Sequence, residues 1–527
     1  MWAARISRNS FADDGRGSRA LRAVAPARTL EDVEVGRGAP RRAIAMSVVT
    51  RLDPWPSEDE LTTLRADVVA FARSEGAGEV DPGDVRVVAA PYRVCPLGAH
   101  IDHQGGRVAG FALNCGVALA FLPTPTPLPP TAVRVRTDAF AGVVRFDTRD
   151  VPPAKGVAGE ACEWGAFPRG AAHVYRCDRA ARRTELGADA DVDRDFDPSF
   201  PGFVGCLRAY PSGLDRGGVS SSAAVSLALL SAFRVVDEGD DAWNASAWDL
   251  VRAGRALENE HVGVRSGLLD QASVACSAPG SLTLVDCARE EVTRVPFAAN
   301  RDPSANGVRE TSDPASPSSP PFVVLLAFSG LRESLASTGY NLRVEECAAA
   351  AEALRPGSET LREVPRETFE RARAESHLNP TSRRRAEHFF SESSRVDEGE
   401  RAWREGNLDR FGALMRASGE SSVVNYECGC EPMCELRDIV ARAPGVYGVR
   451  FSGAGFRGCC AALCAAEDVE AAAAEIRVAY ASARPKLAPR AHVVVTKMGE
   501  GFRLFDATGG TRTQAREDAR AREAMRE

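Results

Sequence analysis

Residues 91–106 read PYRVCPLGAHIDHQGG, a short stretch that gathers ionisable side chains and glycines. An apolar run at 85–90 precedes it and another at 109–121 follows, which is typical of two buried strands joined by a loop. Scaffolds usually hold their ligands on loops of this kind. A tight hairpin that is polar by chance fits the same pattern, so the stretch alone leaves both interpretations open. Its polar candidates are Arg93, His100, Asp102 and His103.

The composition around this stretch is that of a globular protein. With 527 residues, 44% hydrophobic and 26% charged, the chain is long enough for about two to four domains. A net charge of -7 argues against a nucleic acid or an anionic membrane as partner, because it supplies no polybasic attraction. No apolar run approaches the about 20 residues that span a bilayer.

Cysteines are numerous but not spaced like a metal site. Six of the fourteen lie near the C-terminus without the paired C-x2-C spacing of a zinc site, so we predict buried thiols in a reducing compartment. These six are Cys428, Cys430, Cys434, Cys459, Cys460 and Cys464. An Asn-Ala-Ser sequence at 244–246 matches a glycosylation acceptor, but it is more simply a helix N-terminus.

The two ends of the chain differ from its middle. Residues 1–45 are rich in Arg, Ala and Gly, and two interpretations fit them: a disordered extension or an organelle transit segment. Their acidic residues weaken the second, and Met46 would also make a clean start. The predicted location is therefore the cytoplasm, with a plastid or mitochondrion as the alternative. Residues 507–527 are charged without an apolar face and predict a disordered tail.

Helices and strands alternate irregularly, which predicts an α+β architecture. Helical spacing marks residues 58–74, 161–175, 220–233, 246–262, 333–353, 383–414 and 468–481. Strand patterns run from 85 to 150, interrupted by PTPTPLPP at 123–130, and return at 203–209, 281–286, 322–328, 446–451, 460–463 and 492–496. The Ser- and Pro-rich residues 300–321 predict a flexible insertion.

A second informative stretch is GLDRGGVSSSAAV at 213–225. Glycines let backbone N–H groups approach an anion, and a helix N-terminus attracts negative charge. These features suit a phosphate cradle that lacks the Gly-Lys-Ser/Thr signature of a P-loop, although an N-capped core helix after a glycine turn fits as well.

Two further stretches carry possible chemistry. The segment ENEHVGVRSGLLDQ at 258–271 holds Glu258 and Asp270, and one acid for Mg²⁺ with one to accept a proton would suit phosphoryl transfer. Surface acids are common, so this pattern does not decide by itself. The segment FSGAGFRGCC at 451–460 has small residues that allow close backbone approach to a ligand or another loop, while a bulged hairpin is the structural alternative.

Together and in this order, the four stretches resemble the GHMP small-molecule kinase superfamily, in its galactokinase-like branch. Residues 93–106 resemble the sugar-binding signature, 217–224 (GGVSSSAA) the phosphate loop and 453–458 the third motif. YNLR at 340–343, RRAEHFFSE at 384–392 and FGALM at 411–415 agree. The first motif, NYECGCEP at 425–432 and FSGAGFRGCC look like the plant-type galacturonokinase subfamily. The resemblance covers roughly residues 50–505 and rests on several ordered motifs.

The resemblance implies a two-lobe GHMP kinase fold with the active site between the lobes. A ribosomal-protein-S5-domain-2-like N-terminal lobe would take residues 46–290, and a C-terminal α+β lobe residues 322–506. It implies ATP and Mg²⁺ as cofactors, Asp270 as catalytic base and Arg93 as the cation that offsets phosphoryl charge. Ser222 and Glu258 would hold Mg²⁺. The implied phosphate-binding residues are Gly217, Gly218, Ser220, Ser221 and Ser222, and the implied sugar-site residues are Ala99, His100, Asp102, Gly267 and Tyr340.

One departure from the family pattern concerns the substrate. Galactokinases carry Glu where this chain has Ala99, and that Glu reaches towards the C6 hydroxyl of the sugar. Two carboxylates about 4 Å apart repel by ~1 kcal/mol in water and ~4 kcal/mol at an effective dielectric of 20, so its absence favours a sugar with a C6 carboxylate. A cation should then bind that carboxylate, and Arg265, Arg343 and Arg457 are the candidates.

The predicted activity is therefore ATP-dependent phosphorylation of the anomeric hydroxyl of galacturonic acid, in sugar-acid salvage. The alternatives are a kinase for neutral galactose or arabinose, and a non-catalytic sugar and ATP sensor on the same fold. The second departure, GLDR at 213–216 in place of the family's Pro-x-Gly-Gly, leaves two interpretations of Arg216: it faces the nucleotide or water.

Overall fold

The computed structural model describes residues 46–155, 163–185, 199–212, 217–240, 246–298, 320–331, 339–506 and 510–513. Two mixed sheets lie in these residues, with helices packed on them, which confirms the predicted α+β class. The predicted N-terminal extension, nearly all of the predicted insertion and residues 213–216, including Arg216, lie outside the described residues.

The strands of the described chain are β1 Ser47–Thr50, β2 Arg86–Leu97, β3 Arg107–Pro123, β4 Ala132–Thr137, β5 Val143–Asp147, β6 Phe203–Tyr210, β7 Ser281–Asp286, β8 Glu291–Pro296, β9 Phe322–Phe328, β10 Val446–Phe451, β11 Cys459–Ala465, β12 His492–Thr496, β13 Arg503–Phe505 and β14 Thr511–Thr513. The larger sheet has the order β14-β13-β2-β3-β6-β4-β5, and β7 pairs with both β3 and β8. The smaller sheet has the order β1-β12-β9-β11-β10. Only β1 with β12 and β4 with β6 run parallel among these pairs.

The helices are α1 Glu58–Ser74, α2 Ala166–Glu185, α3 Ser221–Glu238, α4 Ala247–Ala256, a π-helix Leu257–Val262, α5 Leu269–Cys276, α6 Tyr340–Leu354, α7 Arg366–Ala374, α8 Pro380–Glu405, α9 Leu408–Val424, α10 Glu431–Arg442 and α11 Val469–Ala483. Helix α1 begins as its sequence dictates, because Ser57 and Glu60 form a reciprocal capping box. Ser246 caps α4, which confirms the predicted helix start there.

Strand β2 shows why the centre of the larger sheet is buried on both faces. Side chains alternate along a strand, so Val87 and Ala89 pack in the core beneath α1, while Val88 and Ala90 pack in the main core on the other face. This strand also corrects the predicted loop at 91–106. It continues to Leu97 through two register irregularities, so Arg93 lies on the strand, opposite Ala112 of β3.

The two ends of the described chain cross between the sheets. Strand β1, near the start, pairs with β12 in the smaller sheet. Strand β13, near the end, returns to pair with β2 in the larger sheet. The lobe boundaries at 46–290 and 322–506 stay a prediction. The smaller sheet takes β1 from the first of these ranges, and the larger sheet takes β13 from the second and β8 and β14 from outside both.

Several sequence predictions differ from the structure in extent. The helix predicted at 383–414 is two helices, α8 and α9, because Gly406 ends the first in a left-handed conformation, and the helix predicted at 333–353 is described as α6 over 340–354. Helix α2 runs over 166–185 rather than 161–175, and the helix predicted at 246–262 is α4 followed by a π-helix. Residues 511–513 of the predicted tail form β14, because β13 offers them an antiparallel edge, so a disordered tail is wrong for these three residues. No described helix has the length and apolarity needed to cross a membrane.

Candidate active site

A cavity of about 580 Å³ receives residues from both sheets. Arg93 reaches it from β2 of the larger sheet, and Gly453 from the turn after β10 of the smaller one. The structure thus brings most of the predicted site residues to one place. Those that line the cavity are Arg93, Ala99, His100, Asp102, Gly218, Ser220, Ser221, Ser222, Glu258, Asp270, Tyr340 and Arg457.

Four predicted residues do not line the cavity: Gly217, Gly267, Arg265 and Arg343. Gly217 and Gly267 lie directly behind its walls: a Cβ on Gly217 would overlap the ring of Phe328, and one on Gly267 would lie 2.5 Å from the Asp102 carbonyl carbon. Arg265 is different, because its side chain is 58% exposed and pairs with Glu345 at 2.9 Å. The structure therefore does not place Arg265 at the substrate site.

Arg93 and Asp270 form an ion pair in the cavity wall. Nε and Nη2 of Arg93 both donate to Oδ1 of Asp270, at 3.0 and 2.6 Å, and Nη1 donates to the carbonyl of Gly218 at 3.4 Å. Burial is the largest single influence and acts to lower the pKa of Arg93, but the charge of Asp270, its hydrogen bonds with Arg93 and the charge of Asp102 together outweigh burial, and the pKa is raised. Arg93 therefore stays a cation and joins the acid to the glycine loop.

Asp102 is a second buried acid beside this pair. Burial, and then the charge of Asp270, raises its pKa to about 6, although the backbone N–H groups of His103 and Leu269 bond to it and oppose the shift. Two nearby acids with different environments titrate differently. The cavity therefore holds one acid paired with arginine and one that takes up a proton near neutral pH.

Glu258 lies on the π-helix, where the widened turn follows α4 directly. Its Oε2 accepts from Ser266 Oγ at 3.0 Å and from Gln271 Nε2 at 2.9 Å. Its Oε1 is buried and has no hydrogen-bond partner among the described residues. Burial and the charge of Asp270 raise the pKa of Glu258 to about 7, while Ser222 is close enough to lower it.

These donors fit a magnesium ion. Mg²⁺ typically takes one or two carboxylates and completes its shell with water and substrate phosphates. The orphaned Oε1 of Glu258 and the neighbouring hydroxyl of Ser222 supply that kind of donor set. No group of three or more His, Cys, Asp or Glu suited to a metal occurs in the described residues. Four of the six C-terminal cysteines are buried and the other two partly buried, all as free thiols.

The glycine loop and the third motif pack against each other through their backbones. Gly453 has φ +69, and a Cβ there would lie 2.8 Å from the carbonyl oxygen of Gly218. Ser452 Oγ also donates to that oxygen at 2.9 Å. Of the two interpretations of residues 451–460, close approach to another loop is the one that the structure bears out. Ser220, at φ +60, then precedes α3, and Ser221 and Ser222 at the start of that helix line the cavity.

The wall beside Ala99 is built from imidazole and phenol rings. His100 stacks on Tyr426 with ring centroids 4.2 Å apart, and His103 Nε2 lies 3.1 Å from the Tyr426 hydroxyl. His388 Nε2 lies 3.0 Å from the carbonyl oxygen of Ala99 and so donates to it. Burial is the main cause that lowers the pKa of His100 far below its usual value. This wall is uncharged at neutral pH.

Of the three arginines considered for a substrate carboxylate, only Arg457 lines the cavity. Arg343 belongs instead to a network of arginines and glutamates that joins α6, α8 and the segment before α10. In it Arg385 is fully buried and contacts Glu346 and Glu427, each at 2.6 Å, and Arg343 contacts the same two acids. These pairs occupy Arg343 and hold the helix that begins with Tyr340.

The far end of the cavity is apolar, and sequence reasoning missed it. Phe140 and Trp164 line it with nearly parallel rings, 6.3 Å apart between centroids. Leu207 and Val225 add to this end. The signal in the sequence was weak, because these residues come from separate loops, a strand and a helix that carry no common motif. Flat apolar surfaces suit a heteroaromatic ring.

Comparison with known proteins places the site in a family. A family model described as "GHMP kinases C terminal" matches residues 400–482. The solved structure of Lactococcus lactis galactokinase complexed with galactose superposes with a TM-score of 0.64 at 24% identity, covering 83% of this chain and 98% of that one. Galactokinase of Homo sapiens is 27% identical, over 79% of this chain and 93% of its own.

The chain belongs to the GHMP kinases, in the galactokinase-like branch, and is a sugar kinase of the kind that uses ATP. Within that branch it is similar to galacturonokinase of Arabidopsis thaliana, with 38% identity over 475 residues that span 86% of this chain and 99% of the relative. The resemblance drawn from the sequence motifs is thereby confirmed.

Proposed function

We propose that this kinase transfers the γ-phosphoryl group of ATP, with Mg²⁺, to the anomeric hydroxyl of D-galacturonic acid and gives galacturonate 1-phosphate. The observation that carries the choice of sugar is Ala99, a methyl group in the cavity wall where a neutral-sugar kinase has an acid. The 38% identity with a galacturonokinase supports it. Such an enzyme returns sugar acid released from polysaccharide to nucleotide-sugar synthesis.

Asp270 is the proton acceptor in this proposal. Both hydrogen bonds from Arg93 go to Oδ1, which leaves Oδ2 for the hydroxyl of the sugar. The same guanidinium fixes the orientation of the Asp270 carboxylate and offsets charge on the transferring phosphoryl group. Phosphoryl transfer needs mainly positioning and electrostatic stabilisation, and a fixed cation beside a carboxylate provides both.

The phosphates of ATP bind, in this proposal, between the glycine loop and the start of α3. The N-terminal end of that helix and Ser220–Ser222 would contact them, with Gly217 and Gly218 allowing the close approach. Mg²⁺ would bind Glu258 Oε1 and Ser222 and neutralise phosphate charge. The adenine ring would occupy the apolar end beside the nearly parallel rings of Phe140 and Trp164.

The sugar binds at the opposite end, beside Ala99, His100, Asp102 and Tyr340. We assign its C6 carboxylate to Arg457, because Arg457 lines the cavity whereas Arg265 and Arg343 pair with glutamates elsewhere. A guanidinium binds a carboxylate through two parallel hydrogen bonds. Arg457→Met should therefore raise KM for galacturonate far more than KM for ATP.

The location that fits these features is a reducing compartment such as the cytoplasm. Every cysteine in the described part of the chain is a free thiol, and most are buried. Disulfides would be expected of a chain with this many cysteines in an oxidising compartment. Fluorescence microscopy of a tagged full-length chain tests this location.

The deciding experiment is ADP release measured with galacturonate, glucuronate, galactose and arabinose. We expect the largest kcat/KM with galacturonate and none with any sugar when Asp270→Asn is used. Faster turnover of galactose or arabinose would support a neutral-sugar kinase instead. ATP binding without ADP release on any of the four sugars would contradict catalysis altogether.

A further inference from the structure

Three buried side chains hold the backbone of residues 95–99 from behind the sugar end of the cavity. Glu392 Oε2 accepts from the N–H of Gly98 at 2.8 Å, and His388 donates to the carbonyl of Ala99. Arg450, on β10, donates from Nη1 to the carbonyl of Cys95 at 3.5 Å. Two of these three side chains are ionised groups without contact to water.

The charges in this cluster do not cancel. Glu392 pairs with Arg395 at 2.6 Å, and the charge of Arg450 also helps to lower its pKa, so one carboxylate is shared between two arginines and one positive charge remains. Arg450 is 0% exposed, and its other hydrogen bond goes to the neutral Ser422 Oγ at 3.2 Å. Its Nε has no partner, and no carboxylate lies within 4.0 Å of it among the described residues. A buried charge left in this state is costly and favours any anion nearby.

The positive field of Arg450 reaches the cavity. Cys95, whose carbonyl it contacts, and His100 both line the wall. Burial lowers the pKa of His100 most, and the charge of Arg450 lowers it further. Burial raises the pKa of the Cys95 thiol to about 12, and Arg450 is the largest effect that opposes this rise. A negative charge in the same space would be stabilised.

We infer that Arg450 is a specificity-determining residue, whose buried and unpaired charge favours a sugar that carries a carboxylate over its neutral counterpart without touching it. This inference rests on the proposed function. Because residue 99 is alanine, the chain places no side-chain carboxylate at that position to interact with the charge of Arg450. The carboxylate of the substrate interacts with it instead. A neutral sugar leaves the charge of Arg450 uncompensated. The contact with Arg457 therefore does not account for the whole preference for the sugar acid over the neutral sugar.

Two variants remove the field by different routes. Arg450→Gln keeps a donor towards Cys95 and Ser422 but loses the charge. Ser422→Asp keeps Arg450 and places a carboxylate against it. Arg450→Lys is the matched control, because it keeps the charge and loses the planar fork. The measured quantity is the ratio of kcat/KM for galacturonate to kcat/KM for galactose, with folding checked by thermal unfolding.

We expect the ratio to fall about tenfold in both charge-removing variants. A tenfold change corresponds to the interaction free energy of two unit charges about 12 Å apart at an effective dielectric of about 20. The lysine variant should keep the ratio. The ratio should also resist added salt, because a buried charge is little screened. Arg385→Met, which removes a buried arginine already paired with two glutamates, should lower both rates equally.

A structural role alone would lower turnover of both sugars and leave the ratio unchanged, and that result in either folded variant would overturn the inference. A lysine variant that loses as much selectivity as Arg450→Gln would overturn it too, since shape rather than charge would then matter. Absence of galacturonate turnover in the wild-type chain would instead reject the proposed function, so the two failures are distinguishable.

Discussion

Replacing Ala99 with glutamate tests the proposed substrate most directly. Ala99 lines the cavity and is 4% exposed. Its backbone is fixed, because His388 holds its carbonyl and Glu392 holds the N–H of Gly98 before it. A longer side chain must therefore extend into the cavity rather than displace the strand end. The new carboxylate would meet the carboxylate of galacturonate.

The magnitude follows from Coulomb's law. At about 4 Å the repulsion is ~1 kcal/mol if water fills the gap and ~4 kcal/mol at an effective dielectric of 20. Since 1.36 kcal/mol is a factor of ten, kcat/KM for galacturonate should fall between about fivefold and about 1000-fold. Galactose turnover should rise or hold, because a C6 hydroxyl can donate a hydrogen bond to the new acid.

The assay is initial-rate ADP release with both sugars. Ala99→Gln is the matched control, since it adds nearly the same volume without charge, and the difference between the two variants isolates the electrostatic effect. Galacturonate turnover that Ala99→Glu leaves unchanged would refute the reasoning. Equal losses in the two variants would show that volume, not charge, excludes the acid.

Three further predictions concern the catalytic and phosphate-binding residues. Asp270→Asn should abolish turnover with ATP affinity by calorimetry nearly unchanged, and full activity would contradict its role as base. Burial raises the pKa of Glu258 from 4.5 to about 7, so the folded chain holds a proton that the unfolded chain releases, and stability should fall as pH rises between these values. Glu258→Gln should flatten the dependence of thermal stability on pH in that range. Mg²⁺-ATP should stabilise the wild type more at about pH 8 than at about pH 6, because the ion requires the ionised form of Glu258. Gly453→Ala should raise KM for ATP by pushing on Gly218, whereas Gly142→Ala, at φ +92 with nothing within 4 Å, should cost only about 1 kcal/mol of stability. Equal KM values for these two variants would contradict the packing argument.

Local pattern predicted the elements of the fold well where a hydrophobic period is uninterrupted. Strands β6, β7 and β9 lie where period-two or continuous apolar runs placed them, and α1 coincides with residues 58–74. Arg93 was placed on a loop because a charged residue normally marks exposure. In the structure, Asp270 compensates that charge from 177 residues away, so the strand continues through it. A local sequence pattern carries no information about a partner so distant in the chain.

The residues of the candidate site likewise divide into those that local sequence motifs predicted and those that they did not. Motifs of consecutive residues predicted Asp102, Ser222 and Asp270, which all line the cavity. Arg450 and Glu392 were not assigned roles, because each acts on residues 95–99 across 355 and 294 positions of sequence. Choosing among the arginines likewise required knowing which of them lines the cavity, and this depends on how the helices and strands pack.

The strand exchange between the sheets has a consequence for biosynthesis. Strand β1 pairs with β12, and the open edge of β2 is covered only by β13. Strand β1 and the edge of β2 thus stay unpaired until about 400 or more further residues have been synthesised. This synthesis takes roughly 20 to 90 s at a translation rate of about 5–20 residues/s. During that interval their unpaired backbone groups are a template for pairing with other chains. A nascent-chain chaperone that covers residues 47–50 and 86–89 would therefore raise the yield of folded enzyme more than one acting after release from the ribosome.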